Sequence, residues 1–202
     1  MNKKLLSETL FYKPISFENK FVKISLLNFN YTRDISNICF DESLWKFSPG
    51  KLMDDEAVIN YVNKSLLEYR DEKSIPFVVI DVKTGKLIGG TKCQAISLPD
   101  LRLEIGNSWL TKDYQGKGYN KAVKYELLKF FFEDVNFKRI EFKTDVRNLP
   151  SRRALQSIGA KEEGILRNHL KLEDNYWRDS VYYSILSEEW SEVKNKYFQN
   201  YL

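Results

Sequence analysis

Three strand-like runs stand back to back in the middle of the chain, "IPFVVIDV", "LIGGTKCQAI" and "LRLEIGNSWL", the first two joined by "KTGK". Apolar, β-branched runs bounded by turn residues read as strands, and a short Gly-containing link between two of them reads as a hairpin. The result is an antiparallel meander, a sheet on which everything else must pack. Directly after the third run comes "KDYQGKGYNKAVKYELLKFFF", in which Val123, Leu127, Phe130 and Phe131 fall at helical spacing. The meander therefore feeds straight into a helix, expected over 118–134, whose mouth holds two glycines and a lysine.

Elements continue on both sides. Residues 21–27 predict a strand; 31–40 and 54–72 predict helices, the second opening with Asp54, Asp55 and Glu56, which suit the positive end of a helix. The loop "LWKFSPGKLM" joins those helices. Beyond the glycine-marked helix come the strand "RIEFKT" and a short helix with Asn148 as N-cap, Ala154, Leu155 and Ile158 on one face and Gly159 as C′ residue. Two strands follow, 160–172 and 176–186, joined at "EDN", and then a tail helix over about 187–201. The order predicts an α+β fold with a mixed, mostly antiparallel central sheet flanked by helices. With 202 residues and no Pro/Gly/Ser-rich linker, one domain over 1–202 is expected.

Several function classes are disfavoured at once. The apolar run of "MNKKLLSETL" stops at Ser7 and Glu8, and about 18 uncharged apolar residues never occur together, so neither a signal peptide nor a membrane span is expected. Cys39 and Cys93 lie far apart, without Cys-x-x-Cys spacing, and His169 is the sole histidine. A disulfide framework or a metal site is not expected, and a reducing, cytoplasmic setting is. The +4 balance is spread over 32 basic and 28 acidic residues, which argues against an extended nucleic-acid footprint but leaves room for a local anion site.

"QGKGY" is where such a site belongs. A helix N-terminus offers unpaired backbone N–H groups and a partial positive charge, and glycine lets that backbone approach a phosphate closely. An ordinary loop-to-helix turn would use the same residues, so context decides. The P-loop string Gly-x-x-x-x-Gly-Lys-Ser/Thr is missing. A dinucleotide fingerprint would need a third glycine where Lys121 stands and a first strand of a βαβ unit instead of a meander, although Asp145 ends the next strand. A third plan, Gln/Arg-x-x-Gly-x-Gly/Ala, aligns with Gln115, Gly118 and Asn120, the last in place of a small residue.

That third plan is the pyrophosphate loop of the Gcn5-related N-acetyltransferases (GNAT), and the likeness extends further. From "GGTKCQAI" through "LEIGNSWLTKDYQGKGYNKAV", "RIEFKTDVRNLPSRRALQSIGAKEEGILRNHL" and "YWRDSVYYSILSEEW", about residues 15–190, the chain resembles the ribosomal-protein-acetylating (RimJ/RimL-like) branch of that family. The resemblance implies a splayed central sheet that admits the pantetheine arm of acetyl-CoA as cosubstrate, with no metal. It implies an acceptor amine from a protein N-terminus, an amino acid or peptide-like compound, a polyamine or an aminoglycoside, and a monomer or homodimer without nucleic-acid or membrane partners.

Amine attack on a thioester needs a proton acceptor, a donor for the oxyanion and a proton for the leaving thiolate. On the resemblance, Glu104, just before the expected bulge Gly106–Asn107, is the candidate base, and Ser151 the candidate acid at the start of the short helix. Trp109, Leu110, Gln115, Gly116, Lys117, Gly118, Tyr119, Asn120, Asn148, Ser151 and Arg153 are the expected cofactor contacts; Trp45, Phe47, Glu104 and His169 face the acceptor. Plainer readings compete: Glu104 as a solvated strand residue, Asn148 and Ser151 as caps, His169 as lining, and Trp45, Phe47, Trp177, Tyr182 and Tyr183 as core. Cys93 lacks a histidine partner and reads as structural. A noncatalytic acyl-CoA-binding module of the same fold is the alternative function.

Overall fold

The computed structural model describes residues 3–172 and 175–201. Among them one sheet carries the molecule, with eight strands: β1 (Ser16–Glu18), β2 (Val22–Leu26), β3 (Ile75–Asp81), β4 (Leu87–Ser97), β5 (Arg102–Leu110), β6 (Arg139–Asp145), β7 (Lys161–Lys171) and β8 (Trp177–Leu186), in the order β1-β2-β3-β4-β5-β6-β8-β7. The helices are α1 (Lys3–Phe11), α2 (Thr32–Cys39), α3 (Asp55–Arg70), α4 (Tyr119–Lys129), α5 (Leu149–Ser157) and α6 (Trp190–Tyr197). The central meander forms as its sequence requires, and every neighbouring pair of strands is antiparallel except β5 and β6.

Strand alternation divides the sheet into two faces. One packs Leu103, Ile105, Ile140, Phe142, Val181 and Tyr183 against Leu6 and Leu10 of α1, Val123 and Leu127 of α4 and Leu155 of α5. The other meets a smaller cluster in which Ile35 and Cys39 of α2 and Val58 and Val62 of α3 pack with Trp45 and Val78. Asp54 N-caps α3, its carboxylate accepting the Ala57 N–H at 2.7 Å. Residues between the core positions, Glu104, Lys143, Ser180 and Tyr182 among them, thereby fall on the α2/α3 side.

The irregular feature is the seam between β5 and β6. Their parallel pairing comprises Arg102↔Arg139, Leu103↔Ile140 and Glu104↔Glu141 and then stops, although β5 runs on to Leu110 and β6 to Asp145. A bulge accompanies the parting: β4 pairs Lys92 with Gly106 and next Gly90 with Trp109, and Asn107 has φ +47°. The strands open into a wedge, with α4 and α5 on one side and α2 and α3 on the other.

Some elements differ from the sequence reading. Helix α1 and strand β1 were not anticipated. The helix expected over 118–134 is α-helical from Tyr119 to Lys129 and then widens into a π turn over Phe130–Asp134. The tail is not one helix from 187 to 201: the Ser187 N–H still bonds Lys138 O at 3.0 Å, the Glu189 carboxylate accepts the Leu186 N–H at 3.0 Å, and α6 begins only at Trp190. Within the "EDN" joint, Glu173 and Asp174 lie outside the described residues; beside them the Leu172 N–H reaches Tyr176 O at 2.8 Å.

Candidate active site

At the wide end of the wedge, β5 passes through a short 3-10 turn, Lys112–Tyr114, into the glycine loop. The Gln115 amide folds back and donates to Leu110 O at 2.8 Å, tying the loop to the strand end. Gly116 (φ +71°) and Gly118 (φ +89°) both take left-handed conformations that a Cβ disfavours, and Gly118 is the N-cap of α4. A Cβ on Gly116 would meet nothing within 4 Å, whereas one on Gly118 would stand 2.8 Å from the Tyr201 hydroxyl, which donates to Gly118 O at 3.0 Å. The first N–H groups of α4 have no acceptor within their own helix and face the loop mouth. Tyr114 and Tyr119 brace the loop from behind, both hydroxyls reaching the Asp81 carboxylate at 3.3 and 3.2 Å. Burial raises the Asp81 carboxyl, but the bonds from Thr84, the Lys83 N–H and these tyrosines more than offset it and hold it below the usual range.

Helix α5 forms the neighbouring wall. Asn148 caps it, Oδ1 accepting the Ser151 N–H at 3.1 Å, and no protein group among the described residues bonds the Ser151 hydroxyl. Arg153 is exposed and unengaged among the described residues. Arg152 is committed elsewhere, to the Tyr183 hydroxyl and to Glu162, each at 3.1 Å. Lys117 is exposed; Asn120 and Trp109 are half-buried and Leu110 is core.

Between α4 and the β4–β5 pair sits a residue that the sequence reading passed over. Lys124, on the core side of α4, is 3 % exposed and has no carboxylate partner among the described residues; Nζ donates to Ser108 Oγ at 2.6 Å, and Ser108 shares a 2.7 Å bond with Thr91. Burial pushes the Lys124 ammonium down to about 8, with Cys93 a minor opposing influence. Cys93 itself is fully buried and its thiol is pushed up to about 12, again by burial.

On the other face, Glu104 is 3 % exposed; Oε1 accepts from the Gln94 amide at 2.8 Å and Oε2 lies 3.0 Å from Lys143 Nζ. Lys143 stands over the Tyr182 ring at 5.9 Å, and Tyr182 Oη is 3.5 Å from His169 Nε2, while His169 Nδ1 meets Ser180 Oγ at 3.0 Å. His169 is held below its ordinary value by burial first, then by the charges of Lys143 and Arg178. Arg178 donates through Nε to Ser180 Oγ at 2.9 Å and through Nη1 to Phe47 O at 3.3 Å. Trp45 is buried, its indole N–H donating to Cys39 O at 2.8 Å and its ring 5.4 Å from that of Trp109.

Of the residues predicted to face the acceptor, Glu104, Phe47 and His169 thus join one polar network, whereas Trp45 is packed into the α2/α3 cluster. Trp177, read as core, is instead 54 % exposed, because it opens β8 opposite Lys171 at the free end of the β7–β8 hairpin. Lys143 and Arg178 were missed, and Tyr182, read as core, is half-buried between Lys143 and His169. Strand parity carried the signal: Lys143 alternates with Phe142 and Thr144, and Arg178, Ser180 and Tyr182 recur every second residue in "WRDSVYYSIL".

A family model described as "Acetyltransferase (GNAT) domain" matches residues 28–161. "Putative ribosomal N-acetyltransferase YdaF" of Bacillus subtilis (strain 168) is 35% identical over 118 residues, 56% of this chain and 63% of that protein. The chain thus spans just under two thirds of that relative. "Uncharacterized N-acetyltransferase YnaD" of the same strain is 30% identical over 152 residues, 75% of this chain and 85% of that one. Among solved structures, the crystal structure of a putative acetyltransferase from T. thermophilus superposes with a TM-score of 0.82 at 31% identity, covering 91% of this chain and 95% of that one.

Proposed function

Given that the chain belongs to the GNAT acetyltransferase family, with a likeness to its RimJ/RimL-like branch, we propose that it transfers an acetyl group from acetyl-CoA directly to a primary amine. The observation that carries this reading is the seam: parallel pairing that ends at Glu104 on a strand that leads, through two left-handed glycines, into a helix N-terminus. The open space at the Gly116 Cβ position suits a cradle that a pyrophosphate would fill. Gly116, Gly118, Tyr119 and Asn120 would offer it backbone N–H groups, with Lys117 and Arg153 as exposed cations beside it, while Trp109 and Leu110, past the last β5–β6 rung, would lie along a pantetheine arm. Acetyl-CoA would supply the activated acyl carbon; the rest is the work of this chain.

The amine enters on the α2/α3 side, between Phe47 and the β6–β8 face. Glu104 has a spare lone pair on each oxygen beyond the Gln94 and Lys143 bonds, so it accepts the ammonium proton through a water. Lys143 fixes the carboxylate and balances its charge. Ser151 Oγ, bonded to no protein group among the described residues, keeps its proton for a leaving thiolate, and Asn148 fixes the first turn that presents it. Cys93 takes no part, since its buried thiol is far from ionising. The free thiols of Cys39 and Cys93 agree with a cytoplasmic location.

Ligand-linked melting tests the cofactor half. The expected result is that acetyl-CoA raises the melting temperature of the protein and that NADH and ATP do so far less. Equal stabilisation by NADH would contradict the reading. Amine-dependent thiol release tests the other half; tight acetyl-CoA binding without it would leave a noncatalytic binding module.

A further inference from the structure

Arg178 is a buried cation without an anion among the described residues. It is 5 % exposed and forms no ion pair with them; its two bonds go to neutral acceptors, Ser180 Oγ and Phe47 O. The carboxylates whose charges reach it are occupied elsewhere. Asp145 is held by the Arg147 guanidinium at 2.7 Å and the Arg147 N–H at 2.8 Å, and Glu104 by Gln94 and Lys143. His169, whose basicity is lowered, adds no negative charge. Burying a charge without a partner is costly, and a guanidinium is never relieved by deprotonation.

Three of its five N–H donors remain unused among the described residues. Ser65 Oγ is the one buried side-chain polar atom lacking a partner among those residues, so Arg178 Nη2, which has none there, must be reached by solvent. A planar fork in that state matches a carboxylate. It lies on the same face as Glu104 and touches the Phe47 loop. A polyamine or aminoglycoside would instead bring further positive charge onto a face that already holds Arg178 and Lys143.

Resting on the N-acetyltransfer reading, we infer that the acceptor bears a carboxylate as well as the amine, and that Arg178 binds it. Two sources share this chemistry: a free amino acid, and the acidic N-terminal segment of a peptide. Acceptor pairs that differ only in charge separate them: an amino acid and its amide, a peptide with an acidic second residue and its glutamine counterpart, with a polyamine as contrast. Thiol release is read for wild type and for Arg178→Gln and Arg178→Lys, with acetyl-CoA affinity by calorimetry and folding by thermal melting.

Wild type is expected to prefer the carboxylate member of one pair, and that pair names the source. Arg178→Gln raises KM for it by about 10- to 100-fold, the worth of a charged hydrogen-bonded contact, with kcat, the amide KM and acetyl-CoA affinity little changed. Arg178→Lys lies between, and stands in for the glutamine variant if that one unfolds. Indifference of wild type to the carboxylate, preference for the polyamine, or equal loss of both members in the variants overturns the inference. Should no amine be turned over, the transfer reading fails by itself, and calorimetry of the carboxylate compounds decides this one: binding lost in Arg178→Gln supports it, and no binding to wild type overturns it.

Discussion

Glu104 and Lys143 meet across the line where β5 and β6 part, carboxylate Oε2 to ammonium Nζ at 3.0 Å; Glu104 stands in the last paired rung, Glu104↔Glu141, and Lys143 two residues beyond it. Backbone hydrogen bonds hold the two strands together up to that rung; beyond it, this side-chain pair bridges them. The pair thus ties the candidate base to β6 at the point where the backbone pairing of the two strands ends.

Replacing Glu104 by Gln keeps the shape and the Gln94 contact but removes the proton acceptor. Steady-state kinetics should show kcat lowered by roughly 10²–10⁴-fold with acetyl-CoA affinity nearly unchanged, and part of the loss regained at high pH, where the amine arrives already deprotonated. Normal turnover at neutral pH would remove Glu104 from the role.

The two loop glycines should fail differently. Gly116→Ala places a methyl in open space, so calorimetry should show weakened acetyl-CoA binding in a folded protein. Gly118→Ala also drives its Cβ toward the Tyr201 hydroxyl, 2.8 Å away, and should lower the melting temperature more. Unchanged acetyl-CoA affinity in Gly116→Ala would separate the loop from the site.

How much of this was legible beforehand varies by element. The meander, the glycine-fronted helix and the Asn148 cap announce themselves through local chemistry: alternation, left-handed glycines, a side chain that accepts an amide. Glu104 stood out because the likeness drew attention to its segment. Lys124, Lys143 and Arg178 did not, since a lone Lys or Arg usually marks solvent, and only the assembled sheet reveals that these three are enclosed or clustered on one face. Helix α1 escaped because its helical stripe, Leu6 and Leu10, is narrow and gains meaning only from packing against the larger core.

Lys124 offers a test of buried charge. Its ammonium is depressed from 10.5 to about 8, so the unfolded chain binds the proton more tightly than the folded one between those values. The penalty is full below pH 8 and fades as pH rises toward 10.5. Lys124→Met should thus stabilise the protein at pH 7 by up to about 3 kcal/mol, offset in part by the lost Ser108 bond, and the gain should vanish by about pH 10.5 in denaturant titrations. A gain that does not shrink with pH would point to packing instead.

Asn148 and Ser151 separate cap from chemistry. Asn148→Ala should cost about 1 kcal/mol, or roughly 2–4 °C in melting temperature, through the lost bond to the Ser151 N–H. Ser151→Ala leaves that bond intact, because the donor is backbone, and should reduce kcat without comparable loss of stability. A Ser151→Ala variant with normal turnover would assign the serine to structure alone.

The most direct test of the whole account is the initial rate of thiol release over a grid of acetyl-CoA and amine concentrations, for wild type and Cys93→Ser. Direct transfer requires both substrates at once, so the expected result is amine-dependent release, intersecting double-reciprocal lines and most of the activity retained in the serine variant. Parallel lines with an isolable acetyl-cysteine, or tight acetyl-CoA binding with no amine-dependent release, would contradict it.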